Sequence, residues 1–384
     1  MDHASLPDSN DGFDSRDLTE PLSRFKPDRR ATLMRFFQNL DFAETPPDPT
    51  TPKYHTGKLP NSKSGDGKPR LLLMGQKRSG KSSINSVVFH KNPPNETLYL
   101  ETTKKIEKNS MHSFMDFQVW DFPGHLDYFD PAFDEAQIFS EIGALIWVID
   151  AQDEYLDAIQ RLNATILHLQ QTYPLINVEV FVHKVDGLSD DYRVDTFRDI
   201  VQRVQDELLD HGVETAPVHF HQTSIYDHSI FEALSKVIQK LIPQLPTLEA
   251  LLNSLCRNCH IEKAYLFDLV SKIYIATDTS PTDIGSYEIC SDYIDVIIDI
   301  TEIYGLRPEE EDNRDVSKSR ETGNGPAESL ITLEKKGNYL YLREVHQYLC
   351  LICILGDDSP TERKALIDYN VGVFQEALQQ VFPR

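Results

Sequence analysis

The chain has 384 residues, of which 40% are hydrophobic, and it carries a net charge of −23 with a pI near 4.9. This length and composition allow a sizeable core and predict two or three domains. The acidic charge argues against nucleic acid as a direct partner and against binding of an anionic membrane through basic residues. Because the chain as a whole repels phosphates, any phosphate site must be built locally.

The sequence also lacks common signals for export or membrane attachment. No apolar stretch approaches the roughly 18 residues of a spanning helix, and "MDHASLPDSN" has neither the basic nor the apolar region of a signal peptide. Position 2 is not the Gly of a myristoylation motif, and "VFPR" contains no Cys for prenylation. We therefore expect a cytoplasmic protein with no direct membrane insertion, which a partner would have to hold at a membrane.

Five cysteines raise the question of a bound group. The stretch "CRNCH" at 256–260 matches a c-type haem attachment site, but it ends a predicted helix, so two solvated or half-buried thiols are the favoured interpretation. Cys350 and Cys353 invite a zinc set with Cys256 and Cys259. However, "YLCLICIL" predicts a buried strand, where a spacing of three places the two thiols on opposite faces. Reduced cytosolic thiols account for all five.

Residues 1–67 are rich in Pro, Ser, Asp and Thr, and we predict a disordered N-terminal extension. The stretch "RRATLMRFFQNLDF" within it has the spacing of a short amphipathic helix. Such a helix either docks a partner or forms transiently without function.

Residues 68–245 alternate short apolar runs with amphipathic segments. The runs "RLLLMG", "GALIWVID" and "VEVFVHK" are typical of parallel strands that are covered on both faces. The segment "DDYRVDTFRDIVQRVQDELLDHG" places Val194, Phe197, Val201, Val204 and Leu208 at helical spacing, and Gly212 is expected to end that helix. This alternation predicts an α/β fold with a doubly wound sheet and a ligand site at the carboxyl ends of its strands.

Residues 246–384 show a different pattern, which predicts the order helix, two strands, helix, three strands, helix. This order predicts a small α+β domain with an antiparallel sheet. The acidic, Gly-containing segment 307–326 is predicted to be a solvated loop.

The clearest chemical motif is "GQKRSGKS", which fits Gly-x4-Gly-Lys-Ser between an apolar strand and a plausible helix. Backbone N–H groups of such a loop surround phosphate oxygens, Lys81 is expected to reach the β and γ phosphates, and Ser82 to coordinate magnesium. The predicted nucleotide-binding residues of this loop are Gly75, Gln76, Lys77, Arg78, Ser79, Gly80, Lys81, Ser82 and Ser83.

A second motif, "WDFPGH", follows about forty residues later. Asp121 is placed to hold magnesium through water, and Gly124 to present its N–H to a γ phosphate. Between the two motifs, "LYLETTKK" offers two threonine hydroxyls for the magnesium shell, and we prefer Thr103 to Thr102, although "LYLETT" also resembles an edge strand. Lys81, Gly124 and His125 are the predicted catalytic residues, and Ser82, Thr103 and Asp121 the predicted metal ligands.

The motif "VHKVDG" is predicted to read the base. Asp186 can accept both guanine N–H donors, which adenine does not supply, and Lys184 can lay its stem along the base. His183 stands where Asn is usual in this motif. In "TSIYDHS", Ser224 and Ile225 form the loop that is expected to present a backbone N–H, that of Ser224, to the guanine oxygen. The predicted ligands are GTP or GDP with Mg²⁺.

These motifs, together with "NETLYLETT", "HKVDGLSDD" and "TSIYDHSIFEALSKVIQKLIPQLPTLE", resemble Rag GTPases of the C/D type over about residues 70–380. "HKVD" is what that subtype is expected to carry. The resemblance implies a Ras-like P-loop GTPase domain followed by a roadblock (longin-like) domain. It also implies a heterodimer with an A/B-type Rag GTPase, docking on a lysosomal or vacuolar scaffold, recruitment of the TOR kinase complex, and control by a GAP and a GEF.

Two other functions fit part of the pattern. "DFPGHLDYF" resembles a segment of translation elongation GTPases, but the expected "GHVDHGKT"-like loop is not in this sequence, and acidic charge does not suit a ribosome binder. A subunit that binds nucleotide permanently and hydrolyses it negligibly is the other alternative. C/D-type Rags ordinarily carry Gln where this chain has His125. Because imidazole only partly reproduces the hydrogen bonds of an amide, slow hydrolysis is expected.

Overall fold

The computed structural model describes residues 68–125, 138–139, 142–174, 176–213, 217–269, 271–303, 328–333, 338–356 and 360–382. All of them belong to the compact unit Lys53–Arg384. The predicted disordered extension with its amphipathic stretch, and the predicted acidic loop 307–326, lie outside the described residues.

A first sheet is formed by six strands in the described part of the chain. Their bounds are β1 (Arg70–Gly75), β2 (Glu107–Met111), β3 (Phe117–Asp121), β4 (Ile142–Asp150), β5 (Asn177–His183) and β6 (Val218–Thr223). The spatial order is β2-β3-β1-β4-β5-β6, and every pairing is parallel except that of β2 with β3. The predicted doubly wound α/β sheet is confirmed.

Helices cover both faces of this sheet. They are α1 (Lys81–Phe89), α2 (Leu156–Thr172), α3 (Asp190–Asp210) and α4 (Ser229–Gln239). Because both faces are covered, the central strands are almost wholly apolar, and Leu71–Met74 and Ala144–Ile149 are at most 1% exposed. The carboxyl ends of β1, β3, β4, β5 and β6 therefore meet along one edge, which is where the sequence placed the ligand site.

Helix α3 differs in one detail from the predicted stripe. Its innermost side chains are Ile200, Val204 and Leu208, each at most 4% exposed, whereas Val194 is 50% exposed. Val194 is the fifth residue of the helix. Gly212 ends the helix as predicted, since it takes a left-handed φ of 78° and donates its N–H to the Leu209 carbonyl.

A second, wholly antiparallel sheet follows, in the predicted order of elements. Its strands are β7 (Lys263–Asp268), β8 (Tyr274–Thr277), β9 (Glu328–Leu333), β10 (Asn338–His346) and β11 (Leu349–Leu355), arranged as β8-β7-β11-β10-β9. Its helices are α5 (Leu245–Cys259), α6 (Ile284–Ile303) and α7 (Pro360–Val381). Among the described residues no helix is long and apolar enough to cross a membrane.

The cysteines lie as the strand prediction required. Cys350 belongs to the core cluster that includes α6 residues, while Cys353 points to the other face of the sheet. Burial raises the pKa of the Cys353 thiol, and the nearby Cys256 and Cys259 raise it as well. Cys259 is the last residue of α5 and is buried, and Cys256 is half-buried. None of the five cysteines forms a disulfide, and "CRNCH" is the end of a helix.

The first sheet contains one buried carboxylate at a distance from the ligand edge. Glu179 on β5 is fully buried, and it accepts hydrogen bonds from His221 Nε2 at 2.9 Å and Lys240 Nζ at 2.6 Å. His219 Nδ1 lies 3.5 Å away. Burial raises the pKa of Glu179, but the His221 hydrogen bond and the Lys240 charge outweigh it and hold the pKa below its usual range.

We expect Glu179→Gln to lower the free energy of unfolding at neutral pH by about 2 kcal/mol, because Lys240 then loses its partner in a buried place. The folded-state pKa is depressed, so the carboxylate stabilises the protein above the unfolded pKa, and this contribution is lost as the pH falls through the folded value. The difference between the two proteins should therefore shrink below about pH 4.3. Chemical denaturation between neutral and acidic pH measures it. Glu154→Gln, at an exposed position, is the control, and equal effects of both substitutions would contradict the prediction.

Candidate nucleotide-binding site

The loop between β1 and α1 has the backbone of a phosphate cradle. Gly75 and Gly80 have φ values of 133° and 103°, which only glycine adopts readily, and Arg78 is left-handed at 65°. A Cβ on Gly75 would lie 2.3 Å from the Val148 carbonyl oxygen on β4. The glycines of the motif are thus required by the turn, and the N-terminus of α1 faces the loop, as anion binding needs.

Lys81 is 6% exposed and folds back over this loop. Its ammonium donates to the carbonyls of Gly75 at 2.9 Å and Gln76 at 2.5 Å. Burial lowers its pKa to about 8, against the attraction of Asp121 and together with the repulsion of Lys184. A cation held in this way, at the place where a phosphate chain would lie, is suited to bind phosphate oxygens.

Three oxygen-bearing side chains from separate segments converge beside Lys81. The Ser82 hydroxyl lies 2.8 Å from that of Thr103 and donates to Asp121 Oδ2 at 2.5 Å. Asp121 is fully buried, and its Oδ1 has no hydrogen-bond partner among the described residues. Burial raises the pKa of Asp121, although the Ser82 hydrogen bond and the Lys81 charge oppose this. Hard oxygen donors with one buried acceptor to spare fit a divalent cation such as Mg²⁺.

The geometry distinguishes the two threonines of "LETT". Thr102 is exposed, whereas Thr103 is half-buried and contacts Ser82. The alternative that "LYLETT" is an edge strand is wrong, since Pro94–Tyr99 form a 3-10 helix and β2 begins only at Glu107.

The segment after β3 presses against the phosphate loop. A Cβ on Gly124 would lie 2.2 Å from the Lys77 backbone nitrogen, so only glycine permits this approach. His125 follows and is exposed. Residues 126–137 lie outside the described part of the chain.

The base motif lies where β5 ends, next to the same loop. Lys184 has a left-handed φ of 63°, and its ammonium donates to the Arg78 carbonyl at 2.7 Å and to Asp150 Oδ2 at 2.5 Å. His183 is buried and contacts Thr223 through Nδ1 at 2.9 Å. Asp186 is exposed, as a residue that reads a ligand must be.

The loop after β6 holds Asp186 from the other side, but it differs from the prediction for Ser224. The Ser224 hydroxyl donates to Asp186 Oδ1 at 2.6 Å. Its backbone N–H donates to the Ser229 hydroxyl at 2.9 Å. The Ser224 N–H is therefore engaged within the loop, and Ser224 acts here through its side chain. The next residue, Ile225, is half-buried.

Three residues that no motif predicts support the site. Asp150, at the end of β4, pairs with Lys184, and Gln152 donates to the Lys184 carbonyl at 2.7 Å. Thr223, at the end of β6, contacts His183. Their shared signal is position, because each ends or follows a strand that is parallel to β5.

The lowered pKa of Lys81 predicts that nucleotide binding takes up a proton in mildly alkaline solution. Above about pH 8 the free protein loses part of the ammonium charge that a bound phosphate chain would restore, so the affinity for GDP should fall by up to about tenfold per pH unit. Calorimetric titrations with GDP at about pH 7 and about pH 8.5, in buffers of different ionisation enthalpy, measure this uptake. Lys81→Arg, which keeps its charge throughout, should abolish the pH dependence. Equal proton uptake in both proteins would count against the assignment.

Comparison with known proteins agrees with this site. Residues 70–294 match the family model described as the Gtr1/RagA G protein conserved region. The chain is 57% identical to the GTP-binding protein gtr2 of Schizosaccharomyces pombe, covering 82% of this chain and 98% of the relative, and 56% identical to the human Ras-related GTP-binding protein C, covering 82% and 77%. Identity to gtr1 of Schizosaccharomyces pombe is 27%, over 59% of this chain and 74% of that protein. The chain therefore belongs to the Gtr1/RagA family, as a GTPase of the Rag C/D type.

Proposed function

We propose that this chain is the C/D-type subunit of a Rag heterodimer, a guanine-nucleotide switch with slow GTP hydrolysis that relays amino-acid sufficiency to the TOR kinase complex at the lysosome or vacuole. The observation that carries the switch is the contact of Ser82 with both Thr103 and Asp121. Ser82 lies in the first turn of α1, Thr103 precedes β2, and Asp121 is the last residue of β3. A ligand bound at Ser82 would therefore also lie beside side chains from two other segments of the chain.

Mg²⁺ is the metal we assign to these oxygens. Ser82 and Thr103 offer hydroxyls, and Asp121 offers a buried carboxylate that can act directly or through water. When bound, Mg²⁺ neutralises charge on the β and γ phosphates. Lys81 would hold the same phosphates, and Gly124, which lies against the Lys77 backbone of the phosphate loop, would donate its N–H to a γ phosphate.

Guanine is the base we assign to the pocket between Lys184 and the β6 loop. Asp186 presents one carboxylate, oriented by the Ser224 hydroxyl, to the paired N–H donors of guanine. Because the Ser224 N–H is engaged with Ser229, we assign the donor to the guanine oxygen to the backbone of Ile225.

The second domain offers a surface for an A/B-type Rag partner. The roadblock fold fits its observed element order, and β9 is an edge strand of its sheet. Helix α6 carries a stripe of exposed apolar side chains at spacings of seven, four and three residues, and its members are Ile289 (41% exposed), Val296 (53%), Ile300 (42%) and Ile303 (77%). An unpaired strand edge together with an apolar helix face is what a subunit interface covers.

Location at a membrane would then come from partners. The net charge of −23 does not favour attraction to anionic lipid, so a lysosomal or vacuolar scaffold complex is the anchor we assign. A GAP and a GEF would set the nucleotide state. In this proposal the protein moves between the cytoplasm and the cytosolic face of the organelle.

Co-expression with an A/B-type Rag subunit tests the proposal. We expect a one-to-one heterodimer that retains guanine nucleotide after purification and hydrolyses GTP slowly in a single-turnover assay. Val296→Asp should weaken the heterodimer at least tenfold, because a charge then enters an apolar interface. Leu209→Asp is the matched control, since Leu209 is also 53% exposed but lies on α3 of the first domain. A monodisperse monomer without guanine nucleotide would sink the proposal.

His125 stands at the position where Gln is usual, and its side chain should affect the rate of GTP hydrolysis. We expect His125→Gln to raise single-turnover hydrolysis by roughly tenfold, because an amide places its acceptor oxygen and donor N–H groups together at the end of the side chain, whereas the two imidazole nitrogens point in different directions. His125→Ala, which retains neither property, is the control and should not accelerate the reaction. An unchanged rate in His125→Gln, with and without a GAP, would favour the alternative of a nucleotide-bound scaffold subunit with negligible hydrolysis.

A further inference from the structure

The first sheet ends in an open strand edge at β6. This strand pairs with β5 on one side in continuous register, and among the described residues no strand pairs with it on the other. An edge strand presents a row of unpaired backbone N–H and C=O groups, which proteins usually protect with Lys, Pro or a bulge. The sequence "VHFHQT" of β6 contains neither Lys nor Pro, whereas β2 at the opposite edge carries Lys108. The edge of β6 is therefore available for pairing.

A cleft lies between this strand and helix α3. One cavity of about 180 Å³ is lined by α3 together with Val218 and Phe220 of β6. A second cavity of about 490 Å³ follows the earlier turns of α3 and includes Gln222 of β6. Gln205 lines both cavities, so they adjoin. Because Val218, Phe220 and Gln222 alternate along the strand and share one face, the cleft follows β6 over its length.

The helix side of the cleft is largely apolar. Phe197 and Val201 line the second cavity, and Leu208 lines the first. Two further lining residues leave about half of their surface in solvent, Val194 with 50% exposed and Leu209 with 53%. They lie toward the two ends of the cleft. Apolar surface in a groove of this kind favours a bound chain that covers it.

A helix beside an open strand edge suits the binding of an extended peptide. Helix α3 packs on the β5 side of the sheet through Ile200 and Val204, so the side of the helix that lines the cleft lies over β6. An added strand would make backbone hydrogen bonds with β6 and place every second side chain in the cleft. Such a strand gains affinity from the main chain and specificity from its alternate side chains.

The rim of the cleft determines the charge of the chain that fits it. Asp191, Asp195, Arg198, Gln202 and Asp206 are exposed and follow one another at spacings of four, three, four and four residues, so they form one stripe on α3. Arg198 and Gln202 also line the second cavity, which places the stripe at its border. Three aspartates stand against one arginine. Since the whole chain carries a charge of −23, a second copy would be repelled and a basic segment attracted.

We propose that the cleft between α3 and β6 binds a basic, extended segment of a partner protein, which adds to β6 as a further strand and inserts alternate apolar side chains between α3 and β6. None of the residues that line the cleft belongs to the nucleotide site or to the apolar face of α6. The inference therefore does not depend on the bound nucleotide or on the A/B-type subunit.

Fluorescence anisotropy with the purified full chain tests the proposal. The probe is a labelled peptide of about eight residues in which Val and Lys alternate, long enough to span β6. We expect saturable binding, which should weaken about tenfold when Ser replaces Val or Glu replaces Lys in the peptide. Gln205→Trp, which fills the junction of the two cavities, should weaken binding about tenfold as well. Gln160→Trp, at an exposed position of α2, is the matched control and should bind as the unsubstituted protein does.

N-methylated peptides distinguish strand addition from other modes of binding. In an extended strand the N–H groups of alternate residues point to the same side. Methylation of every valine nitrogen and methylation of every lysine nitrogen therefore remove different sets of donors. We expect one of these two peptides to lose about tenfold in affinity and the other to retain it. An equal loss in both, or no loss in either, overturns strand addition.

A second protein variant covers the case in which Gln205→Trp does not fold, as its melting temperature would show. The double variant Asp191→Asn, Asp206→Asn should lower the affinity for the Lys peptide severalfold and reduce its dependence on salt. Binding that the Ser peptide reproduces, or that survives Gln205→Trp in a folded protein, would reflect charge alone and overturns the inference. Self-association of the full chain in sedimentation, abolished by Gln205→Trp, would assign the cleft to a second copy and overturns it as well.

Discussion

The hydrogen bond from Ser82 to the buried Asp121 is the constraint on which the site depends. It joins the first turn of α1 to the end of β3, and Thr103 closes the group from a third segment. A fully buried carboxylate is costly unless it is satisfied, and one of its oxygens has no partner among the described residues. The unpaired Asp121 oxygen can therefore accept from a ligand or bind a cation, and it lies close to the Lys81 ammonium and the N–H groups of the phosphate loop. Burial lowers the pKa of the lysine and raises that of the aspartate, so each group is more easily neutralised until an ion or ligand of opposite charge arrives.

The same edge of the sheet explains why phosphate and base sites are close. Strands β1, β4, β5 and β6 are parallel, so the loops that follow them leave at one end, and contacts between these loops do not need long side chains. Lys184 donates to the Arg78 carbonyl and His183 packs on Gly80, so residues of the base motif support the phosphate loop. Asp150 holds the Lys184 ammonium from β4. Phosphate and base recognition are consequently parts of one packed unit.

Sequence alone located most of this site because its chemistry depends on local spacing. Glycines at 75 and 80, the lysine and serine after them, and Asp186 each belong to a motif whose backbone the sequence dictates. Contacts between distant segments were harder to foresee. The choice of Thr103 needed the position of Ser82, and the engagement of the Ser224 N–H depended on a hydroxyl five residues away, to which no motif drew attention. Helical periodicity predicted that Val194 of α3 would be buried, but it is half exposed. Periodicity identifies the inward face of a helix but not how far along the helix that face is covered.

Among the described residues, a turn of the first sheet and the guanine loop both contact the second domain. The turn between β2 and β3 reaches it at one place, where the Ser113 hydroxyl donates to the buried Asp268 and Phe114 packs edge-on against Phe382. The guanine loop reaches it at another, where the His228 ring packs on Tyr287 of α6. Strands β2 and β3 pair antiparallel with Glu107 opposite Asp121, so Asp121 and Thr103, which precedes β2, lie near the end of this pair that is remote from the turn. The turn that contacts Asp268 and Phe382 and the loop that contacts Tyr287 thus belong to the same segments as the proposed metal-binding and base-binding residues.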